Sequence, residues 1–172
     1  MNKIIKHEYK HDLVNFEDRK IKIGTTTEAK KLKLFSRCVH ILLINKDGEL
    51  MLSKRPPTTY NYPNKISSSA GGHVDIGETY KIAAERELKE ELDIYTPIKD
   101  IGRFDVITPN ERTIHHLFIG KYKKVTADPK EIISFHFLSP TAIKRDIRLH
   151  PRKYAKSFHE AFKCFMNYKN NI

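Results

Sequence analysis

The tightest constraint on this chain is the stretch AGGHVDIGETYKIAAERELKEELDI, residues 70–94, in which two glycine turns run straight into a segment, 79–92, free of glycine and proline. Helix formers dominate that segment. Ile82, Leu88 and Leu92 recur near helical spacing, with Ala83 and Ala84 as small packing residues, so it reads as a helix. Residues three and four apart on a helix share one face, which aims the carboxylates of Glu87, Glu90 and Glu91 at one region. Like charges so placed repel by about a few tenths of a kcal/mol per pair unless solvent screens them or a cation sits among them. Hard divalent cations take oxygen ligands, and Mg²⁺ is commonly held by one or two carboxylates together with substrate phosphate oxygens. For an isolated helix the alternative is a solvated acidic face balanced by Lys81, Arg86 and Lys89. The glycines shift the balance. Gly71 and Gly72 permit a turn in which a backbone carbonyl faces a metal and N–H groups approach phosphate, and Gly77 allows a second bend before Glu78.

The remainder of the chain supplies a mixed α/β setting. VHILLIN (39–45) and LMLSKR (50–55) flank an Asp-Gly turn signal and predict a hairpin. The loop PPTTYNYPNK (56–65) is a candidate substrate rim, and it leads into ISSSAGGHV, a short strand ending at the paired glycines. IGRFDVI (101–107), TIHHLFIGKY (113–122) and IISFHFL (132–138) predict further strands. Ser139 before Pro140 opens one helix, and Pro151 in a first-turn position opens another, whose stripe Tyr154, Phe158, Ala161, Phe162 and Phe165 predicts a face docked on the sheet. Residues 1–36 predict a strand or hairpin extension followed by a lysine-rich connection.

The 172 residues fit one domain. No apolar stretch approaches the roughly 18–20 residues of a membrane helix, and the first residues are too polar for a secretory signal, so a cytoplasmic location is expected. Cys38 and Cys164 form no Cys-x-x-Cys pair and are expected to be packing thiols. A net charge of +11 raises the local concentration of polyanions, with nucleotides, diphosphates and nucleic acid all qualifying. The basic runs, KKLK and KYKK, are short, and no strand shows the basic and aromatic alternation of an RNA-stacking platform.

Gly72, Glu78, Arg86, Glu87, Leu88, Glu90, Glu91 and Ile94 match the signature G-x5-E-x7-R-E-U-x-E-E-x-G-U, where U is aliphatic, and the segment therefore resembles the Nudix hydrolases. Six fixed charged or glycine positions would coincide by chance on the order of once in 10⁷ windows. The departure is Asp93, which stands at the last glycine. That glycine ends the helix in a left-handed conformation, which aspartate tolerates. SRCVHILLINKDGELMLSKRP, YPNK, SSSAGGHV and FHFLSPTAI further resemble the branch related to type I isopentenyl-diphosphate isomerase.

The resemblance implies an α/β/α sandwich with a mixed β-sheet, the catalytic loop and helix following a sheet strand, and a C-terminal helix packed on that sheet. One Nudix domain over 1–172, with its box at 72–94, is expected. It implies cleavage of a nucleoside diphosphate derivative or related organic diphosphate by water, with Mg²⁺ or Mn²⁺. By position, Glu87, Glu90 and Glu91 resemble the metal-binding glutamates, and the Gly71 carbonyl adds a ligand. Glu87 also resembles a water-activating residue, while Arg86 and Glu78 resemble the pair that braces the loop. Candidates for a further base or ligand are Glu111, His115, His116 and Glu131, and Lys54 and Arg55 are candidates for phosphate contact. Relatives are often homodimers.

Two alternatives stand beside hydrolysis. An isomerase needs a cysteine where this chain has Gly71 and a histidine where it has Ser36, and His73 alone resembles one of its ligands. A non-catalytic nucleotide- or RNA-binding module would ordinarily have lost the glutamates kept here.

Overall fold

A computed structural model describes residues 9–59, 61–109 and 111–171. The first eight residues of the expected extension, and positions 60 and 110 in two expected loops, lie outside the described residues. The chain begins with an antiparallel hairpin, β1 (Lys10–Val14) and β2 (Lys20–Thr25), followed by α1 (Thr26–Leu32). The expected lysine-rich connection is therefore helical, and a capping box explains why: Thr25 accepts from the Glu28 N–H while Glu28 accepts from the Thr25 N–H.

The main sheet contains β3 (Ser36–Ile44), β4 (Leu50–Lys54), β5 (Ile66–Ser67), β6 (Ile98–Ile107), β7 (Arg112–Lys121) and β8 (Ser134–Leu138). Its order is β5-β4-β3-β7-β6, with β8 on the other edge of β4. β3 and β7 run parallel and the remaining pairs antiparallel, so the sheet is mixed as expected.

The β3–β4 hairpin forms, but it closes only at Ile44 opposite Leu50. Beyond that pair the strands splay, and residues 66–73 are wedged between them. Ser67 pairs with Ser53 of β4, while Ala70 and His73 bridge Ile41 and Cys38 of β3. That wedge carries the paired glycines into the middle of the sheet.

Alternation along β3 sorts the two layers. Val39, Ile41 and Leu43 join Ala83, Ala84, Leu88 and Leu92 of α2 (Tyr80–Leu92) in one core. Leu42, with Leu117 of β7, joins Phe158, Ala161, Phe162 and Phe165 of α4 (Lys156–Asn170) in the other. Between β8 and α4 stands α3 (Pro140–Leu149), capped by Ser139 as expected.

Two local expectations are corrected. Pro151 opens only a single 3₁₀ turn, Pro151–Lys153, and α4 starts at Lys156, so Tyr154 lies ahead of the helix yet still stacks on Phe158. Ile82 is 52% exposed. The buried stripe of α2 runs through Ala83, Ala84, Glu87, Leu88, Glu91 and Leu92, so two carboxylates occupy positions that an ordinary amphipathic helix gives to apolar groups. Among the described residues no helix is long and apolar enough to cross a membrane.

Candidate active site

Helix α2 is fixed at both ends by the residues that flank it. Thr79 caps the start by accepting from the Ile82 N–H. Asp93 adopts the left-handed conformation at the end, at φ 52° and ψ 41°, and its N–H reaches back to Leu88 and Lys89. The departure from the glycine pattern thus leaves the helix terminus intact.

The carbonyls of Glu91 and Leu92 accept from the N–H groups of Asp128 and Thr126. The loop between β7 and β8 is thereby tied to the end of the helix, satisfying acceptors that a helix terminus leaves open. This tie carries Glu131 to the cleft.

Arg86 braces the entrance to the helix. Its Nε and Nη2 donate to the two Glu78 oxygens at 3.0 Å each, and Nη2 also donates to the His73 carbonyl at 2.8 Å. Its Nη1 donates to Glu87 at 2.8 Å and to Glu90 at 3.1 Å. Gly77, at φ 81°, supplies the second bend.

The glycine pair permits two close approaches. A Cβ on Gly72 would lie 2.2 Å from Glu87 Oε1, and one on Gly71 would lie 2.4 Å from the Val39 carbonyl oxygen. Ala70 and Gly72 direct their carbonyls to Ile41 and Val39 of β3. In an extended chain the intervening peptide groups point the other way, so those of Gly71 face away from β3. The Gly71 N–H accordingly pulls the Glu91 carboxyl downward, against the larger effect of burial.

The three glutamates of the helix sit differently. Glu91 is buried and lines the cleft, Glu87 is buried against Gly72, and Glu90 is 59% exposed and held by Arg86. Burial pushes the Glu87 carboxyl up to about 7, against the pull of Arg86. Burial, with Glu87 and Glu131 adding repulsion, raises Glu91 well above the ordinary carboxylate range. Two buried carboxyls facing a third acidic group, without enough positive charge among them, are poorly compensated. Among the described residues, no three His, Cys, Asp or Glu side chains already stand in metal-holding geometry. The donor set nevertheless suits a hard cation: carboxylate oxygens and a free carbonyl, with no thiol or imidazole between them.

The cleft lies where the wedge separates β3 from β4. Along β3 its lining runs from Gly71 beside His40, through His73 and His115 on either side of Cys38, to Thr113 beside Ser36; Glu91, Arg55, Glu131 and Gly72 belong to the first end, and Glu111, bonded to Thr113, to the last. Asn61 and Tyr62 of the expected rim loop form part of its wall.

Of the candidates for a distal role, Arg55, His73, Glu111, His115 and Glu131 line the cleft, and Lys54 and His116 do not. Strand alternation accounts for both exceptions. Lys54 points away from the side taken by Ser53 and Arg55. His116 is turned to the opposite face from His115, where it stacks on Tyr80 and pairs with Asp100 at 2.6 Å.

Sequence reasoning missed Thr113 and His40, held Tyr62 only as part of the expected rim loop, and assigned Cys38 to packing. Cys38 is indeed buried, and burial raises its thiol well above the ordinary value, but it also lines the cleft. The shared parity of Ser36, Cys38 and His40 on β3 and of Thr113 and His115 on β7 was the available signal.

Comparison with known proteins agrees with this geometry. The NUDIX domain family model matches residues 34–159. A prenyl-diphosphate phosphatase of Methanosarcina mazei is 24% identical over 152 residues, covering 86% of this chain and 89% of that protein. An isopentenyl-diphosphate Delta-isomerase of Photorhabdus laumondii is 31% identical over 117 residues, covering 65% of this chain and 66% of that protein. Among solved structures, a protein of Deinococcus radiodurans superposes with a TM-score of 0.77 at 23% identity, covering 90% of this chain and 98% of its own. A MutT protein of Methanosarcina mazei gives 0.65 at 21% identity, covering 80% and 94%.

Proposed function

The chain belongs to the Nudix family, and from that premise we propose that it hydrolyses, with a divalent metal, a phosphoanhydride bond in a nucleoside diphosphate derivative or related organic diphosphate. The observation that carries this reading is the placement of Glu87 and Glu91 on the buried stripe of α2, a costly arrangement that a cation offsets.

Glu87, Glu90, Glu91 and the Gly71 carbonyl are the groups that would hold Mg²⁺ or Mn²⁺. Such an ion supplies neutralisation of the diphosphate oxygens and makes water more acidic. Arg55 lines the same end of the cleft and is the guanidinium for a phosphate oxygen. Glu131, which repels both buried glutamates, is the carboxylate for the proton of the attacking water. The water oxygen bonds to phosphorus as the bridging P–O bond breaks, and the two products leave as phosphate esters or phosphate. Arg86 and Glu78 touch no reacting atom in this scheme. They hold the loop carbonyl of His73 against α2 and so position the glutamates.

One observation favours a second reading. The neutral thiol of Cys38 lies in the cleft, opposite His73, and an isomerase protonates its substrate from such a group. It stands on β3 and not on the segment before α2, where Gly71 leaves no thiol.

The test is release of phosphate or diphosphate from a panel of nucleotide and non-nucleotide diphosphates, with Mg²⁺ or Mn²⁺ and with chelator, alongside isopentenyl diphosphate monitored for its isomer. Metal-dependent release from any member is the expected result. Isomer formation without hydrolysis of any member would replace this reading with the second.

A further inference from the structure

The end of the cleft away from Glu91 contains a run of hydrogen bonds whose direction can be assigned. The Tyr62 hydroxyl donates to Glu111 Oε2 at 2.5 Å, and the Thr113 hydroxyl donates to Glu111 Oε1 at 3.0 Å. Glu111 accepts in both bonds, so the single Thr113 proton is committed and its oxygen is left as an acceptor. The neighbour of that oxygen is His115 Nε2, at 2.7 Å. Nε2 therefore carries the ring proton.

The ring itself is neutral. It is 2% exposed, and burial, reinforced by His40 and His73, holds its pKa well below the ordinary imidazole value. A neutral imidazole protonated on Nε2 presents a lone pair on Nδ1. His115 lines the cleft, and its Nδ1 is buried without a hydrogen-bond partner. Phe104 stacks on the ring at 4.7 Å and 5°, and His40 meets it edge-on at 5.1 Å, so packing opposes a turn toward another partner. A buried acceptor left unpaired is costly, and a donor brought by a ligand removes that cost.

The surrounding wall has the same character. His40 Nδ1 lies 2.7 Å from Ser68 Oγ, and Ser36, Ser53, Ser67 and Ser157 also line the cleft. Val39 and Ala70 are its only aliphatic side chains among the described residues. A long hydrocarbon chain would leave these polar groups desolvated and gain little apolar burial in return.

We propose that the His115 end of the cleft selects the organic half of the diphosphate by accepting a hydroxyl or N–H hydrogen on Nδ1, so that the substrate carries a polar group such as a sugar or nucleoside and isoprenoid diphosphates are rejected. This rests on the placement of the diphosphate at the Glu91 end. His115 is a specificity-determining residue in this scheme, and Thr113, Glu111 and Tyr62 fix its tautomer as positioning residues.

The test is calorimetric binding, in Mg²⁺, of methylenediphosphonate analogues of a nucleoside diphosphate, a sugar diphosphate and geranyl diphosphate to the wild-type protein and to His115→Phe. At least one polar analogue binds at least about tenfold more tightly than the geranyl analogue, and His115→Phe removes that advantage while leaving geranyl affinity unchanged. Comparison of the two polar analogues tells a hydroxyl donor from a base N–H. Equal or tighter binding of the geranyl analogue, binding of no analogue, or an unchanged ratio in the variant would overturn the proposal.

A ligand-side comparison guards against a variant that fails to fold: a hydroxylated alkyl analogue against its deoxygenated counterpart of the same length, where a preference below about tenfold overturns it equally. Turnover of geranyl diphosphate in preference to every polar diphosphate would defeat this inference and leave phosphoanhydride hydrolysis standing. Intact binding preference without turnover of any diphosphate would do the reverse.

Discussion

The two ends of the cleft are built in opposite ways. At the Glu91 end every group proposed for the cation comes from one continuous segment, residues 71–91, and the unusual feature is buried charge. At the His115 end, Tyr62 and Glu111 stand 49 residues apart in sequence, the groups are nearly all neutral, and the unusual feature is an unpaired acceptor. Charge that must meet a cation tolerates little variation in spacing, so a rigid turn-and-helix unit carries it. Recognition of a neutral group needs only one lone pair in the right place, which several elements can supply jointly.

If the division holds, changes at the first end reduce turnover of every diphosphate alike, and changes at the second alter only their ranking. The largest effect is expected from Glu91→Gln. It lowers turnover of all substrates at least about tenfold, by removing a proposed ion ligand, while the melting temperature barely moves because the substitute is isosteric. Steady-state rates and a thermal melt check both halves.

Gly72→Ala comes next. The added methyl collides with the Glu87 carboxylate, a flexible side-chain end, so stability falls by only about 1 kcal/mol while the displaced glutamate lowers turnover. Gly71→Ala collides with the Val39 backbone instead and costs up to about 3 kcal/mol. Denaturant titration separates the two, and equal losses would contradict the contrast between a yielding side-chain neighbour at Gly72 and an unyielding backbone neighbour at Gly71.

A third expectation concerns pH. The Glu87 carboxyl is raised to about 7 from an ordinary 4.5, so between these values the folded protein holds more protons than the unfolded chain. In the absence of metal its contribution to stability is present below about pH 4.5 and declines as pH rises towards 7. Glu87→Gln flattens this part of the melting profile, and Mg²⁺ at pH 8 restores stability to the wild type more than to the variant. An identical profile in both proteins would remove Glu87 from the acidic cluster.

The smallest effect is expected from Asp93→Gly. Relief of the left-handed aspartate raises stability by at most about 1 kcal/mol, less the small contribution of its exposed ion pair with Lys89, and turnover is unchanged.

The same contrast explains what could be read beforehand. The helix follows from local spacing, whereas its left-handed terminus at Asp93 and the pairing of Glu78 with Arg86 were legible only through the resemblance; the structure has the helix, Asp93 at φ 52° and Arg86 donating to Glu78. The buried stripe was misjudged at Ile82, because a hydrophobic scale cannot anticipate two carboxylates turned inward in its place. His115 and His116 are indistinguishable by pattern: both faces of β7 are covered, so alternation separates the two histidines without saying which one meets the cleft. The approach of Tyr62 to Glu111, and the wedge that opens β3 from β4, depend on pairings between distant segments that no local period encodes.

The acidic cluster on α2 is the proposed divalent-cation site, and Mn²⁺ binding followed by electron paramagnetic resonance in the wild type and in Glu91→Gln tests it most directly. Saturable binding of Mn²⁺ to the wild type, displaced by Mg²⁺ and weakened at least about tenfold in the variant, is the predicted result. Equal Mn²⁺ binding by the two proteins, or none by the wild type, would contradict it.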